Sequence, residues 1–406
     1  MYNTRPRSVL TNAASGTGQP EYMRVNCLML AFAFVLPYHV LRTAAGAGHR
    51  VHVLGNGPSR GLKWSRHCAS YRESRFDRTG EADDLLLAEI RNVVRDHDID
   101  IILPSDDVST RLIAALRPRL PVPSSLVPEV ASFDLLNDKW RFTRFCAEHG
   151  VRAPQGWLYR SAADLRAALD DGSLQLPLTV KPLNYSAGVG VLHLTAPADL
   201  TAIEAIDYRP ILVQRHIFGE TIGINVLCRD GEILAHATQR RDDRRFELFA
   251  NPDLLANVTR LAAAARFTGP ANLDVVLEDA TGLGYIVECN PRFWYSIYMA
   301  MIVGANFVDL AIRGRSAPPL LDASVRLSLG EIVRRPWQAT RTDWKMVHYH
   351  LSDPIPFLFQ RSGAFDGRDI SVPPTTTAGD DEEPQSTAAP SSGGVSDRAS
   401  YRTIAA

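Results

Sequence analysis

Residues 272–293 read NLDVVLEDATGLGYIVECNPRF. Asn272 to Leu277 and Tyr285 to Glu288 are apolar, β-branched runs joined by the glycine-containing turn Thr281 to Gly284, a strand–turn–strand signal. Glu288 and Asn290 are two apart, so on an extended strand they share a face. Asp274 sits on the partner strand, fourteen residues before Glu288. Two carboxylates and an amide oxygen are hard donors suited to Mg²⁺. Arg292 follows, a side chain able to grip a phosphoryl or carboxylate group bidentately. The competing reading is a solvated hairpin, but Tyr285, Ile286 and Val287 make the strand look buried. An acid in an apolar strand needs a partner.

Upstream lie two further stretches of the same texture. LTVKPLNYSAGVGV, residues 178–191, places Lys181 at a strand end before the small loop Ser186 to Gly190. Such a loop brings backbone N–H groups close to phosphate oxygens, although an ordinary hairpin with a solvated lysine reads the same way. ILVQRHIFGE, residues 211–220, is an apolar strand ending at Gln214 and a hinge whose backbone could meet an adenine edge, with Glu220 in reach of ribose hydroxyls. By residue type alone His216 reads as a structural or surface histidine. In TQRRDDRRFE, residues 238–247, four arginines face three acids. That balance reads as a solvated turn in which one arginine is functional. With expected strands at Leu178–Lys181, Val189–Leu194, Ile211–Gln214, Thr221–Cys228 and Ile233–Thr238, and a helix over Leu254–Phe267, this region is α+β.

The amino-terminal third reads differently. Cys27 to Leu36 is continuously apolar, yet too short for a bilayer span of about 20 residues. Translation from Met23 would make it resemble a secretory signal. The following helix-like segment after Pro37 and the strand Val51–Leu54 favour a βαβ unit instead. A helix at Leu85–Val94, a strand Ile99–Leu103 stopping at Pro104-Ser105-Asp106-Asp107, and a helix Thr110–Leu116 continue an open parallel α/β sheet. No GxGxxG follows the first strand, so a dinucleotide fingerprint is missing. The expected division is a flexible extension 1–22, an α/β domain 23–123, a nucleotide-type α+β domain 124–314, a mixed segment 315–371 and a Pro/Ser/Thr-rich tail 372–406.

Composition narrows the function class. Of 406 residues, 45% are hydrophobic and 22% charged, with 44 Lys plus Arg against 45 Asp plus Glu and a net charge of −1. That balance argues against a nucleic-acid binder, whose footprint is a basic excess. The five cysteines are scattered and never form CxxC, which fits reduced thiols in a cytoplasmic protein.

Taken in order, these residues resemble the ATP-grasp superfamily over about Met23 to Arg313. Asn137-Asp138-Lys139 with Gly150-Val151-Arg152-Ala153-Pro154 is similar to the family's DK…Gly-[Ile/Val]-x-x-Pro signature. Val180-Lys181-Pro182 looks like its second phosphate lysine, and Val213 to Glu220 like its adenine hinge. Asp274, Glu288 and Asn290, with Arg292 in Glu-Cys-Asn-Pro-Arg-Phe, match the two-magnesium motif. The resemblance implies a preceding α/β domain followed by an ATP-grasp fold. It implies that Lys139 and Lys181 hold ATP phosphates beneath a lid containing Ser186 and Gly188, and that Gln214, His216, Ile217 and Glu220 hold the nucleoside. Asp274, Glu288 and Asn290 would bind two Mg²⁺ ions, replaceable by Mn²⁺, while Arg292 and Lys181 serve catalysis. The implied activity joins a small-molecule carboxylate to an amine through an acyl phosphate. No nucleic-acid or membrane partner is expected, and a homodimer is the expected assembly. The competing class is an ATP-binding regulatory protein without turnover. Two departures stand out: Arg215 where many relatives carry Glu, and bulky Phe293-Trp294-Tyr295-Ser296 after the motif.

Overall fold

The computed structural model describes residues 24–76, 82–183, 188–242, 244–318, 323–363 and 365. Its first sheet is formed by β1 (Asn26–Ala31), β2 (Arg50–Gly55), β3 (Cys68–Glu73) and β4 (Ile101–Leu103), in the order β3-β2-β1-β4. All its pairings are parallel. Helix α1 (Val35–Gly46) covers one face, and α2 (Ala82–His97) and α3 (Asp107–Leu116) cover the other. The apolar run read as one strand to Leu36 divides: β1 ends at Ala31, and α1 begins at Val35 with Pro37 in its first turn. Proline costs nothing there, because first-turn amides have no intrahelical acceptor. Strand β3, alternating small and polar residues, was not legible in the sequence.

The polar loop after β4 turns out to be structural. Asp106 caps α3 by accepting from the Ser109 amide at 2.7 Å and also accepts from the Phe32 amide at 2.7 Å. It thereby ties the ends of β1 and β4 together. Burial pushes its carboxyl up to about 6.

Helices α4 (Val130–Asn137) and α5 (Lys139–Glu148) lead into a small antiparallel sheet of β5 (Gly156–Tyr159), β6 (Leu178–Pro182), β7 (Leu192–Leu194) and β8 (Ile211–Arg215), ordered β5-β8-β6-β7. Helix α6 (Ala162–Asp170) packs on it. The strand expected from Val189 starts only at Leu192, because Gly188 and Gly190 take φ of +73° and +74°. Such angles form a turn, not a strand.

The large sheet contains β9 (Gly219–Arg229), β10 (Glu232–Arg241), β11 (Arg245–Phe249), β12 (Gly269–Glu278), β13 (Gly284–Asn290) and β14 (Ala323–Arg326), in the order β13-β12-β9-β10-β11-β14. The arginine-rich stretch read as a turn is the tip of the β10–β11 hairpin, with Arg240 opposite Glu247. Helix α7 (Pro252–Ala264) backs this sheet. Gly219 has no alternative, since a Cβ there would lie 1.8 Å from the Leu277 carbonyl oxygen. Helices α8 (Ile297–Val303) and α9 (Phe307–Arg313) bring the sheet against α1.

Helices α10 (Leu329–Arg334), α11 (Arg341–Leu351) and α12 (Pro354–Ser362) complete the described fold. Their seam with α1 is aromatic and basic. The buried Arg42 guanidinium lies 3.6 Å from the Tyr349 ring centroid and donates to Tyr38 Oη at 3.1 Å and Ser352 Oγ at 2.9 Å. A cation–π contact in a desolvated place is worth about 2 kcal/mol. Beside it, buried His39 pairs with Tyr349 Oη at 2.9 Å.

Burial, then the nearby His350 and Arg42, lower the His39 pKa to about 3, while burial and the charges of Arg42 and Arg361 lower His350 to about 4. A folded pKa below the unfolded value near 6.5 means full stability above pH 6.5 and loss as pH falls toward the folded values. Urea midpoints measured between pH 7 and pH 4.5 should therefore fall, with up to about 1.4 kcal/mol per pH unit for each histidine. His39→Gln should flatten that slope by one proton, and an unchanged slope would contradict the assignment.

Candidate nucleotide and metal site

The residues singled out in the sequence converge where the small sheet faces the β12–β13 edge of the large one. Lys139 opens α5, whose first turn is capped by Asp138 accepting from the Arg141 amide at 2.8 Å. Its ammonium lies 3.6 Å from Glu288 Oε1 and donates to the Leu183 carbonyl at 3.4 Å. Lys181, on β6, is 6% exposed and donates to the Val287 carbonyl at 3.1 Å. Two cations from different elements thus reach the strand that carries the acids.

Asp274 and Glu288 are cross-strand neighbours at an irregularity between Asp274 and Val275. Burial is the largest influence on Asp274, and the adjacent Glu288 adds to it, so its carboxyl is pushed up to about 7 against the pull of Arg292, Lys181 and Lys139. Lys181 is lowered to about 8, again chiefly by burial. Burial removes the water that would stabilise either charged form, so both groups shift toward neutrality. Asn290 donates to Asp274 Oδ2 at 3.4 Å, and Arg292 donates to Asn290 Oδ1 at 3.2 Å and to the Phe293 carbonyl at 2.9 Å. Among the described residues no three His, Cys, Asp or Glu side chains cluster to hold a metal. The donor set is two carboxylates and an amide. It fits Mg²⁺, which keeps several sites for water and phosphate oxygens, provided Asn290 turns its amide oxygen toward Asp274.

The hinge is more occupied than its sequence implied. Gln214 is buried, and its amide donates to Thr143 Oγ1 at 3.0 Å, while Thr143 donates to the Lys139 carbonyl at 2.7 Å. Its side chain therefore positions α5 and Lys139. The backbone amides of Arg215 and His216 donate to the Gln155 and Pro177 carbonyls. His216 pairs with Thr179 Oγ1 at 2.8 Å and meets the Phe218 ring edge-on, and burial lowers its pKa to about 4. Ile217 is buried beside it. Arg215 leaves the cleft for Glu278 at 3.3 Å and the Tyr285 ring, and Glu220 pairs with Arg240 at 3.4 Å. Gly188 lies in the turn before β7, and Ser186 lies outside the described residues.

A row of amides was missed. Asn290 also donates to Asn272 Oδ1 at 3.4 Å, Asn272 to Asn225 Oδ1 at 3.0 Å, Asn225 to Gln239 Oε1 at 2.8 Å, and Gln239 to Ser296 Oγ at 3.0 Å. The signal was available: Asn225 interrupts the apolar run of β9, and Asn272 stands two before Asp274. Its meaning needed the strand order, which puts β13, β12, β9 and β10 side by side.

Comparison with known proteins bears on the fold. The family described as "RimK-like ATP-grasp domain" matches residues 136–253, and "ATP-grasp in the biosynthetic pathway with Ter operon" matches residues 207–327. The carbamoyl phosphate synthase large chain of Xylella fastidiosa is 22% identical over 76% of this chain and 34% of its own length. That of Thermomicrobium roseum is 24% identical over 46% and 19%. The chain thus spans about a fifth to a third of those relatives. N5-carboxyaminoimidazole synthetase from Staphylococcus aureus, complexed with ADP, superimposes with a TM-score of 0.59 at 15% identity, covering 77% of this chain and 86% of that one. L-amino acid ligase from Bacillus licheniformis gives 0.56 at 18% identity, covering 72% and 74%. Both likenesses concern the fold. Two overlapping ATP-grasp family models thus match residues 136–327, and the solved structures share the fold.

Proposed function

We propose that the protein is an ATP-dependent ligase that activates a small-molecule carboxylate as an acyl phosphate for attack by an amine, releasing ADP and phosphate. The observation that carries this reading is the meeting of Lys139, Lys181 and Arg292 with Asp274 and Glu288 in one cleft between two sheets. A carboxylate attacking a γ-phosphate brings two anions together, and preorganised cations lower that barrier. Lys139 and Lys181 would hold the phosphates from the small-sheet side. Arg292 would hold the carboxylate and then the acyl phosphate from the large-sheet side. Mg²⁺, one or two ions held by Asp274, Glu288 and Asn290 and replaceable by Mn²⁺, would neutralise phosphate charge. Closure of the turn at Gly188 to Gly190 over the cleft would keep water from the acyl phosphate.

Solved relatives carry the same nucleotide chemistry: one was crystallised with ADP, and a biotin carboxylase domain from Hydrogenobacter thermophilus with MgADP. Among the described residues no helix is long and apolar enough to cross a membrane. A cytoplasmic setting and homodimeric assembly remain part of the proposal. The test is ADP release screened against amino acids and small carboxylic acids with hydroxylamine present. Acid-dependent ADP release with a trapped hydroxamate is expected. Nucleotide binding by folded protein without turnover on that panel would instead identify a non-catalytic ATP-binding protein.

A further inference from the structure

The amide row leads away from the metal site toward a second group of cations. Gln239 and Arg241 are two apart on β10 and so share a face. Ser296 and Tyr298 flank the first residue of α8. Beyond them lies a cavity of about 470 Å³ walled by Arg241, Tyr298, His350 and Arg361, with Met346 and Phe357 among its apolar lining. That volume suits a small ligand. Among the described residues no Asp or Glu lines it.

Its cations have no acidic partner among the described residues. Arg240, next along β10, is engaged by Glu220 at 3.4 Å and Glu247 at 3.6 Å. Arg241 and Arg361 make no ion pair among the described residues, although Arg361 lies 5.9 Å from the Phe357 ring centroid. Among the described residues the buried Nδ1 atom of His350 has no hydrogen-bond partner. A buried polar atom without a partner costs about 1–3 kcal/mol. Two guanidinium groups and an orphaned ring nitrogen around one cavity are complementary to an oxyanion.

We infer that this cavity binds a carboxylate or phosphate carried at the far end of the ligase's substrate, with the reacting end at Arg292. This rests on the ligase reading. From Asn290 to Gln239 the amide row crosses three strand spacings, about 14 Å. A substrate reaching both ends is of peptide or sugar-phosphate size, longer than one amino acid. Gly223 leaves room for the amides of the row, since a Cβ there would come within 3.3 Å of Gln239 Nε2 and 3.5 Å of Asn272 Nδ2.

The experiment is calorimetric titration of the full chain, saturated with MgADP, with inorganic phosphate and separately with succinate. Wild-type protein should bind at least one of them, and whichever binds more tightly identifies the end group. Arg241→Gln with Arg361→Gln should weaken that binding by more than about tenfold, with MgADP affinity unchanged. Arg361→Gln alone, on the exposed side of α12, should weaken it less and serves if the double variant misfolds. No binding of either anion by wild type, or equal binding by wild type and variants, overturns the inference. Failure of MgADP itself to bind would count against the ligase reading, while the anion titrations without nucleotide would still test the cavity.

Discussion

Glu288→Gln is expected to lower Mg²⁺-dependent ADP release by about a thousandfold while the protein stays folded. Gln keeps the side chain's size and one acceptor oxygen, so packing on β13 is preserved. What disappears is the charge that faces Lys139 at 3.6 Å and crowds Asp274 across the strand pair. The Lys139 contact is partly exposed, and its loss should cost under about 1 kcal/mol. The catalytic loss comes from the metal, since one carboxylate and two amides form a poor Mg²⁺ site. The thermal shift produced by Mg²⁺ should vanish in the variant. Unchanged turnover at saturating Mg²⁺ would remove Glu288 from the metal site.

Lys181→Met is expected to separate binding from stability. In the nucleotide-free protein the ammonium is buried, and burial holds its pKa down to about 8, so the charged form is disfavoured where it sits. One carbonyl, that of Val287, receives it. Methionine has nearly the same length and needs no partner, so the variant should melt at a higher temperature than wild type at pH 7. Its affinity for MgADP should fall by about 10- to 100-fold, the worth of one charged hydrogen bond. Sites that keep a group at the expense of stability do so for function. Lower stability with unchanged affinity would make Lys181 a structural lysine.

The sequence displayed the chemistry better than its supports. Asp274, Glu288, Asn290 and Arg292 were readable because strand periodicity is two and the turn between the runs contains Gly282 and Gly284. Lys139 and Lys181 were readable through ordered spacing, although nothing local says that they meet. The role of Gln214 was not readable: its hydrogen bond to Thr143 joins residues 71 apart. The short strands failed for a related reason. β11 alternates charged and apolar residues over only five positions, RFELF, and its strand character is fixed by pairing with β10 and β14, since propensity is weakest where tertiary pairing decides. Arg241 could not be told from its three neighbours until the hairpin assigned each arginine a side.

One consequence follows from the bond between Lys181 and the Val287 carbonyl and the contact between Lys139 and Glu288. They fasten the small sheet to the acidic strand with the very ammonium groups that a nucleotide would claim. The cleft thus carries its own competitors for a phosphate. A phosphate held by these lysines would displace the internal contacts, and its measured affinity would be the difference between two sets of bonds. Weakening the internal set without touching the lysines, through the geometry of β13, would tighten nucleotide binding.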